Sequence, residues 1–578
     1  MNLLETVKLV QNELVEYQIK CLLNDIEVDL DTDFIEPTIV FLSAQSNSVP
    51  IGALLGAIVN NKPYLLGKGL CFIEALVEHD IIDIEQINGN WVIHPIVVEH
   101  TVNKLLGCDT RPIKKEARTV FCGKTLHKPV GYRVDHLEYM NSIKFVINDD
   151  FLEAFDTIPD NAPYQKTLPD IINNHTGTLY VDHKYDGRGR TYCAGHVNYQ
   201  STEWEKCLLK FHKDIKITDE GRNNLALHKA GLKPENIYLA KIVQLIEESE
   251  STGMFIGADA RASGIQLLSI LSGCETSAIH VGLLDKSNEP YALAGERADL
   301  VVNVAKGETS RSIFKECCMH HFYGGTKTPK LRLGEENLEG FYETLEELFP
   351  GCEELKNDIQ NCYWNTEVFT AVFPDGFMMQ QPVIGIMVLE LDFPNDPEVT
   401  FGYRYKYLQG KRKGLELAAN LVHAVDGYVA RELIYRAAKG SYGQINELAL
   451  VRAIKQADAS IKPNDTFCLY KLHNTPISKW VLLGRNFLEK AYAYFKAAET
   501  MPSFTVISIH DDFKCHPNYV HWMKFLYIEI LAEIANSDLT KDLLEQINPK
   551  KNIPYEPTPA LAVKLRQAFK DGTGIGLE

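Results

Sequence analysis

The chain has 578 residues, 45% of them hydrophobic and 24% charged, which excludes wholesale disorder and is too long for a single hydrophobic core. A net charge of −18 excludes a polyanion-binding surface spread over the whole molecule, so any phosphate-tracking region has to be a local basic strip. Thirteen cysteines form no CxxC pair and no zinc-spaced His/Cys cluster, and read as reduced, mostly buried thiols.

The N-terminal MNLLE is not the basic start of a secretion signal, and even the apolar run IGALLGAIV at 51–59 is too short to cross a bilayer. A soluble protein with no membrane partner, retained in the compartment where it is made, is expected. The first forty residues hold nine acids and two bases. Residues 103–128 hold seven Lys/Arg against two acids, and residues 401–420 hold five against one. Basic strips on an acidic body suit a phosphate channel inside a soluble shell, although either strip alone is equally a solvated face.

In chain order, helical periodicity predicts helices over 2–23, 207–230, 235–250, 291–305, 308–322, 336–370, 415–438, 482–500 and 518–546. Three β-rich runs interrupt them. MFIGA at 254–258 and FTVISI at 504–509 each lead into an acidic residue, and 383–407 reads as a hairpin around Pro394-Asn395-Asp396-Pro397. Short strands among many helices predict a mixed α+β enzyme, mainly helical, rather than a Rossmann array.

Asp259 sits where the first of these strands turns into a helix, and Asp511 follows the second. If the two strands pair, both carboxylates meet at one sheet edge. Two aspartates there suffice to hold two Mg²⁺ about 4 Å apart, because magnesium completes its shell with water and substrate phosphates. Taken singly, either aspartate is equally a helix cap. Between them, ETSRSIFKECCMHHFYGG at 308–325 places Arg311 and Lys315 four apart on one helix face. Two such cations across a cleft from two carboxylates can grip the β- and γ-phosphates of a nucleotide, with Lys315 able to protonate departing pyrophosphate. Taken alone, the pair is a common solvated face. Tyr323 lies two turns beyond Lys315, where Gly324-Gly325 can end the helix.

With these residues in place, the order of motifs resembles the bacteriophage and mitochondrial single-subunit DNA-dependent RNA polymerases. DGRGR at 186–190 is similar to that family's DxxGR element. DARASGIQ at 259–266 resembles its motif A, RSIFKECCMHHFYG at 311–324 its motif B, and HDDF at 510–513 its motif C. PDGF at 374–377 matches the element before the specificity hairpin, and NLVHAVDG at 420–427 resembles the element carrying a ribose-sensing histidine.

The resemblance implies a right-hand α+β polymerase with a small antiparallel palm sheet, working with two Mg²⁺ or with Mn²⁺ in their place. Asp259, Asp511 and the carbonyl of Ala260 would hold metal. Arg311 and Lys315 would bind the triphosphate, with Tyr291 reaching the same site. Tyr323 and His423 would select ribose, and Asp186, Arg190 and Gly324 would face nucleic acid. Asp512 reads as a solvated neighbour, and Tyr192 and His228 as packing or template-side residues. Alternating Tyr403, Tyr405 and Tyr407 fit base stacking and a buried strand face equally well.

The implied domains are a reduced acidic N-terminal domain (1–110), a thumb-like helical region (111–176), a first part of the palm (177–275), fingers (276–423) and a second part of the palm (424–578) with an insertion at 432–503. Only about 185 residues precede DGRGR, and the chain ends in TGIGLE rather than the family's aromatic terminus. A DNA template, an RNA product and ribonucleoside triphosphates are therefore the expected partners. An accessory initiation protein or a single-stranded-DNA-binding protein is expected to help initiation, and a phage enzyme would act in the host cytoplasm. A primase or DNA polymerase on the same palm, or a catalytically silent transcription subunit, are the competing readings.

Overall fold

The computed structural model describes residues 49–95 and 133–578, apart from the short stretches 60–64, 79–81, 88–89, 156, 160–171, 173–176, 195–196, 299–307, 365, 394–395, 409–414, 441–445, 461–464 and 552. The expected helix 2–23 and the basic strip 103–128 lie outside these residues, as does most of the thumb-like region. The chain is mainly helical with small antiparallel sheets, as the α+β pattern predicts. Among the described residues no helix is long and apolar enough to cross a membrane.

Local chemistry moved several helix boundaries. The expected helix 207–230 is broken into a helix Glu203–Leu208, strands Leu209–Phe211 and Ile215–Lys216, and a helix Asp219–Gly231. Leu209–Phe211 pairs with Phe145–Ile147, so tertiary pairing overrides the apolar periodicity there. Thr218 then starts a new helix, its hydroxyl accepting from the Gly221 N–H. The stretch 336–370 divides at Phe349-Pro350, because proline enters a helix readily only in its first turn. Its last residues belong to a strand, Val368–Val372, paired with Met378–Pro382 so that PDGF forms the turn between them. The stretch 518–546 is two helices, Val520–Ala535 and Leu539–Ile547.

Among the described residues two large hydrophobic cores form, beside a small third cluster of Leu137, Tyr185 and Phe377. One runs from Met140 to Leu577 and encloses the helices Ser263–Ser272, Leu415–Lys439 and Val520–Ala535. The other lies in a small module at 49–95, where strands Val49–Pro50, Asn90–Pro95 and Ile82–Ile87 form a sheet beside two helices, Ile51–Val59 and Leu66–Glu78. Its core residues Leu54, Leu55, Ile58, Phe72 and Ile73 close on Phe401 and Tyr403.

Those two aromatics come from the expected hairpin, whose strands are Ile384–Phe393 and Asp396–Leu408. Tyr403 is thus a packing residue. The side chains of Tyr405 and Tyr407 lie outside the described residues.

Candidate active site

The strands carrying Asp259 and Asp511 do not pair with each other. Ile256–Asp259 and Val506–Ile509 both pair with a third strand, Asp512–Cys515, which lies between them. The direct pairing that the sequence left as a condition does not form, and the cause is a tight turn: His510 and Asp511 are the two-residue loop that folds Asp512–Cys515 back on Val506–Ile509. His510 has φ = 58°, the only positive φ of a non-glycine residue among the described residues. Left-handed backbone is costly for most side chains and concentrates at functional sites.

The two aspartates still reach one sheet end. Asp259 stands opposite Asp512 across the ladder, and the Ala260 N–H donates to the Asp511 carbonyl at 3.2 Å. Buried Ile256 and Ala258 alternate with Gly257 and Asp259, which leaves the carboxylate on the open face. Asp259 is exposed at the sheet end, although other protein groups crowd its carboxylate. Desolvation by that crowding, followed by the Asp511 and Asp512 carboxylates, lifts its pKa to about 7, and Lys315 opposes the rise. Lys315 is thus near enough for its charge to act on this carboxylate. Asp512 is less solvated than expected, since it begins the central strand and lies 3.5 Å from Lys514 Nζ. On the other side of Asp259, the Glu578 N–H donates to its carbonyl at 2.9 Å, and Arg261 pairs with the Glu578 side chain.

The helix Ser310–Phe322 begins at a capping box between Thr309 and Ser312. It buries Ile313, Phe314, Cys317, Cys318 and Phe322 and leaves Arg311 and Lys315 exposed on one face. Tyr291 is buried beneath both cations, with Arg311 Cζ 5.7 Å and Lys315 Nζ 6.0 Å from its ring centre. Arg311 also donates to Glu289 at 2.7 Å, a half-exposed pair that a stronger anion can displace. The helix ends as the sequence predicts, with Tyr323 as its cap and Gly324 at φ = 84°. Tyr323 comes to rest over Gly264, where a Cβ would lie 2.5 Å from the tyrosine oxygen and 3.0 Å from its ring. Burial raises the Tyr323 pKa to about 12.

The third component is the helix Leu415–Lys439 with the DGRGR loop against it. His423, Asp426, Gly427 and Arg431 recur at three- and four-residue spacing and so share one face. Gly427 admits the loop backbone: a Cβ there would lie 2.8 Å from the Gly189 oxygen. Arg190 pairs with buried Asp426 at 2.7 Å. Burial raises Asp426 to about 6, Arg190 lowering it and Asp511 adding to the rise. The Asp186 carboxylate turns into its own loop. It accepts from the Arg188 backbone and side chain at 2.9 and 2.8 Å, from the Arg190 N–H at 3.1 Å and from Tyr192 at 3.2 Å. Tyr192 packs edge-on against His510, 4.7 Å between ring centres. Tyr323 and His423 make a similar contact at 4.8 Å. Burial, then Arg190 and Arg188, drive the His423 pKa down to about 2, so the ring is neutral. His228 is likewise depressed, to about 4, mainly by burial.

Asp259, Ala260 and Asp511 thus share one end of the three-stranded sheet, Arg311 and Lys315 lie over Tyr291, and Tyr323 meets His423 beside Arg190 and Gly324. Sequence reasoning missed Arg188 and Asp426, although both stand inside the motifs that flagged their neighbours. Among the described residues no group of three or more His, Cys, Asp or Glu is assembled for a metal ion. The donor set on offer is hard carboxylate oxygen without thiolate or imidazole, which fits Mg²⁺ or Mn²⁺ rather than zinc. No protein-family model matches the chain, and comparison with curated proteins finds no match.

Proposed function

We propose that this protein is a template-directed nucleotidyltransferase that makes RNA on a DNA template from ribonucleoside triphosphates. The observation that carries the reading is the meeting of Asp259 and Asp511 at one sheet end, with the charge of Lys315 from the Ser310–Phe322 helix acting on Asp259. Asp259 and Asp511, with the Ala260 carbonyl, would hold two divalent cations, which when bound supply charge neutralisation for the attacking and leaving oxygens. Those cations would also relieve the repulsion that raises Asp259.

Arg311 and Lys315 bind the β- and γ-phosphates, with Tyr291 packed beneath to hold both cations on one side. Lys315 is placed to give a proton to departing pyrophosphate. Tyr323 ends its helix where a base pair can stack, and Gly264 keeps that position open. Neutral His423 beside Tyr323 offers a polar contact to a ribose hydroxyl without adding charge. The Asp186 loop presents Arg188 and Arg190 to this region. Promoter recognition would rely on an accessory initiation protein or an already opened strand, and a single-stranded-DNA-binding protein would supply the latter.

Primer extension on a preassembled RNA–DNA scaffold tests the reading. Purified protein with Mg²⁺ should add templated ribonucleotides in preference to deoxyribonucleotides, and Asp511→Ala should abolish the addition. A preference for deoxyribonucleotides would make it a DNA polymerase. A folded protein that extends neither would be a silent subunit.

A further inference from the structure

The histidine beside Tyr323 has its tautomer decided by a residue of a distant motif. Arg188 Nη1 lies 2.8 Å from His423 Nδ1. Guanidinium carries only donors, so the imidazole nitrogen facing it must accept, and the single ring proton is left on Nε2. Arg188 has little freedom to do otherwise, because its Nε and Nη2 both donate to Asp186 Oδ2, at 2.8 and 2.5 Å. Asp186 is itself held by the Arg190 N–H and the Tyr192 hydroxyl. Among the described residues no protein group pairs with His423 Nε2, and the residue is only half-buried.

We infer that Arg188 is a positioning residue that locks His423 as an Nε2–H hydrogen-bond donor, so that the site recognises a hydroxyl acceptor on the sugar bound beside Tyr323. Selection of the sugar rests on the proposed polymerase reading; the locked tautomer does not. The chain of contacts is Asp186 to Arg188 to His423, and each link is a donor meeting an acceptor. A histidine free to change tautomer would present a bare lone pair part of the time, which accepts from a hydroxyl but cannot donate to one. The Arg188 lock removes that second state.

Two readouts on the full chain separate the inference from the function beneath it. With ¹⁵N-labelled histidine and the His423 signal assigned by its loss in His423→Gln, nitrogen shifts at neutral pH should show Nδ1 unprotonated and Nε2 protonated. Arg188→Met should introduce an Nδ1–H population. It should also reduce ribo- over deoxyribonucleotide discrimination by about tenfold, the worth of one hydrogen bond, while adding nothing in a His423→Ala background. Nδ1–H as the main wild-type species would overturn the lock, whether or not the protein polymerises. A correct wild-type tautomer with unchanged discrimination in an active Arg188→Met enzyme would overturn the role in sugar selection. Absence of any extension by wild type sinks the polymerase reading, and the nitrogen shifts still decide the lock.

Discussion

A carboxylate pushed up to about 7 is a statement about stability as well as chemistry. Asp259 has its folded pKa raised above the ordinary value near 3.8, so the folded state holds a proton that the unfolded chain has released. Its contribution is therefore most favourable at low pH and is lost as pH rises from about 4 through about 7. Without divalent cations, Asp259→Asn should leave the melting temperature near that of wild type at the acid end of this range. Above pH 7 the variant should melt higher, which calorimetry at the two ends would show. An equal difference at both ends would mean that the crowding of Asp259, Asp511 and Asp512 is not the cause. Lys315 and the Ala260 N–H oppose the crowding by Asp511 and Asp512, and cations bound there, as the proposed function expects, would relieve it further.

At the scale of elements, the helix Leu415–Lys439 is the part on which the DGRGR loop and the PDGF turn are both mounted. Arg431, fully buried, donates to Asp375 at 2.6 Å and to the Gly189 carbonyl at 2.8 Å. Burial opposes ionisation of Asp375, but Arg431 and Arg133 prevail and hold its pKa below the usual range. Removing one partner of such a pair leaves a charge buried without compensation, which costs about 3–5 kcal/mol. Asp375→Leu should therefore lower stability by about that amount in urea unfolding. Because Gly189 leads directly to Arg190, the variant should also loosen the loop, seen as faster amide exchange at 186–190 than at 512–515. A loss under about 1 kcal/mol would show that Arg431 finds other partners.

For the whole molecule, the notable arrangement is that the 49–95 module and the 384–408 hairpin share one core, separate from the core around the candidate site. Tyr403 is the largest fully buried side chain of that shared core, and helix Ile51–Val59 packs directly on its strand. Truncating a buried aromatic costs about 3–5 kcal/mol. Tyr403→Ala should therefore release the module, raising amide exchange across 51–59 and 72–76 while residues 256–259 and 512–515 stay protected. Uniform loss of protection everywhere would mean the two cores unfold as one cooperative unit.

Much of the candidate site was legible in the sequence because its parts are local. The spacing of Arg311 and Lys315 put both on one helix face, Gly324 ended that helix, and apolar runs delivered Asp259 and Asp511 to strand ends. Periods of 3.6 and 2 are properties of the backbone, so such placements need no knowledge of the rest of the chain. What lay beyond reach was most of the pairing and packing between distant segments. The strand Asp512–Cys515 between the two aspartate strands, the pairing of Leu209–Phe211 with Phe145–Ile147, and the packing of Tyr403 against Ile51–Val59 depend on which surfaces meet. So does the Arg188–His423 contact, which joins residues 235 positions apart. Sequence alone determined which side chains each element could offer. Tertiary packing decided which of them face one another, because burial and pairing free energies are set by neighbours that the local chain does not contain.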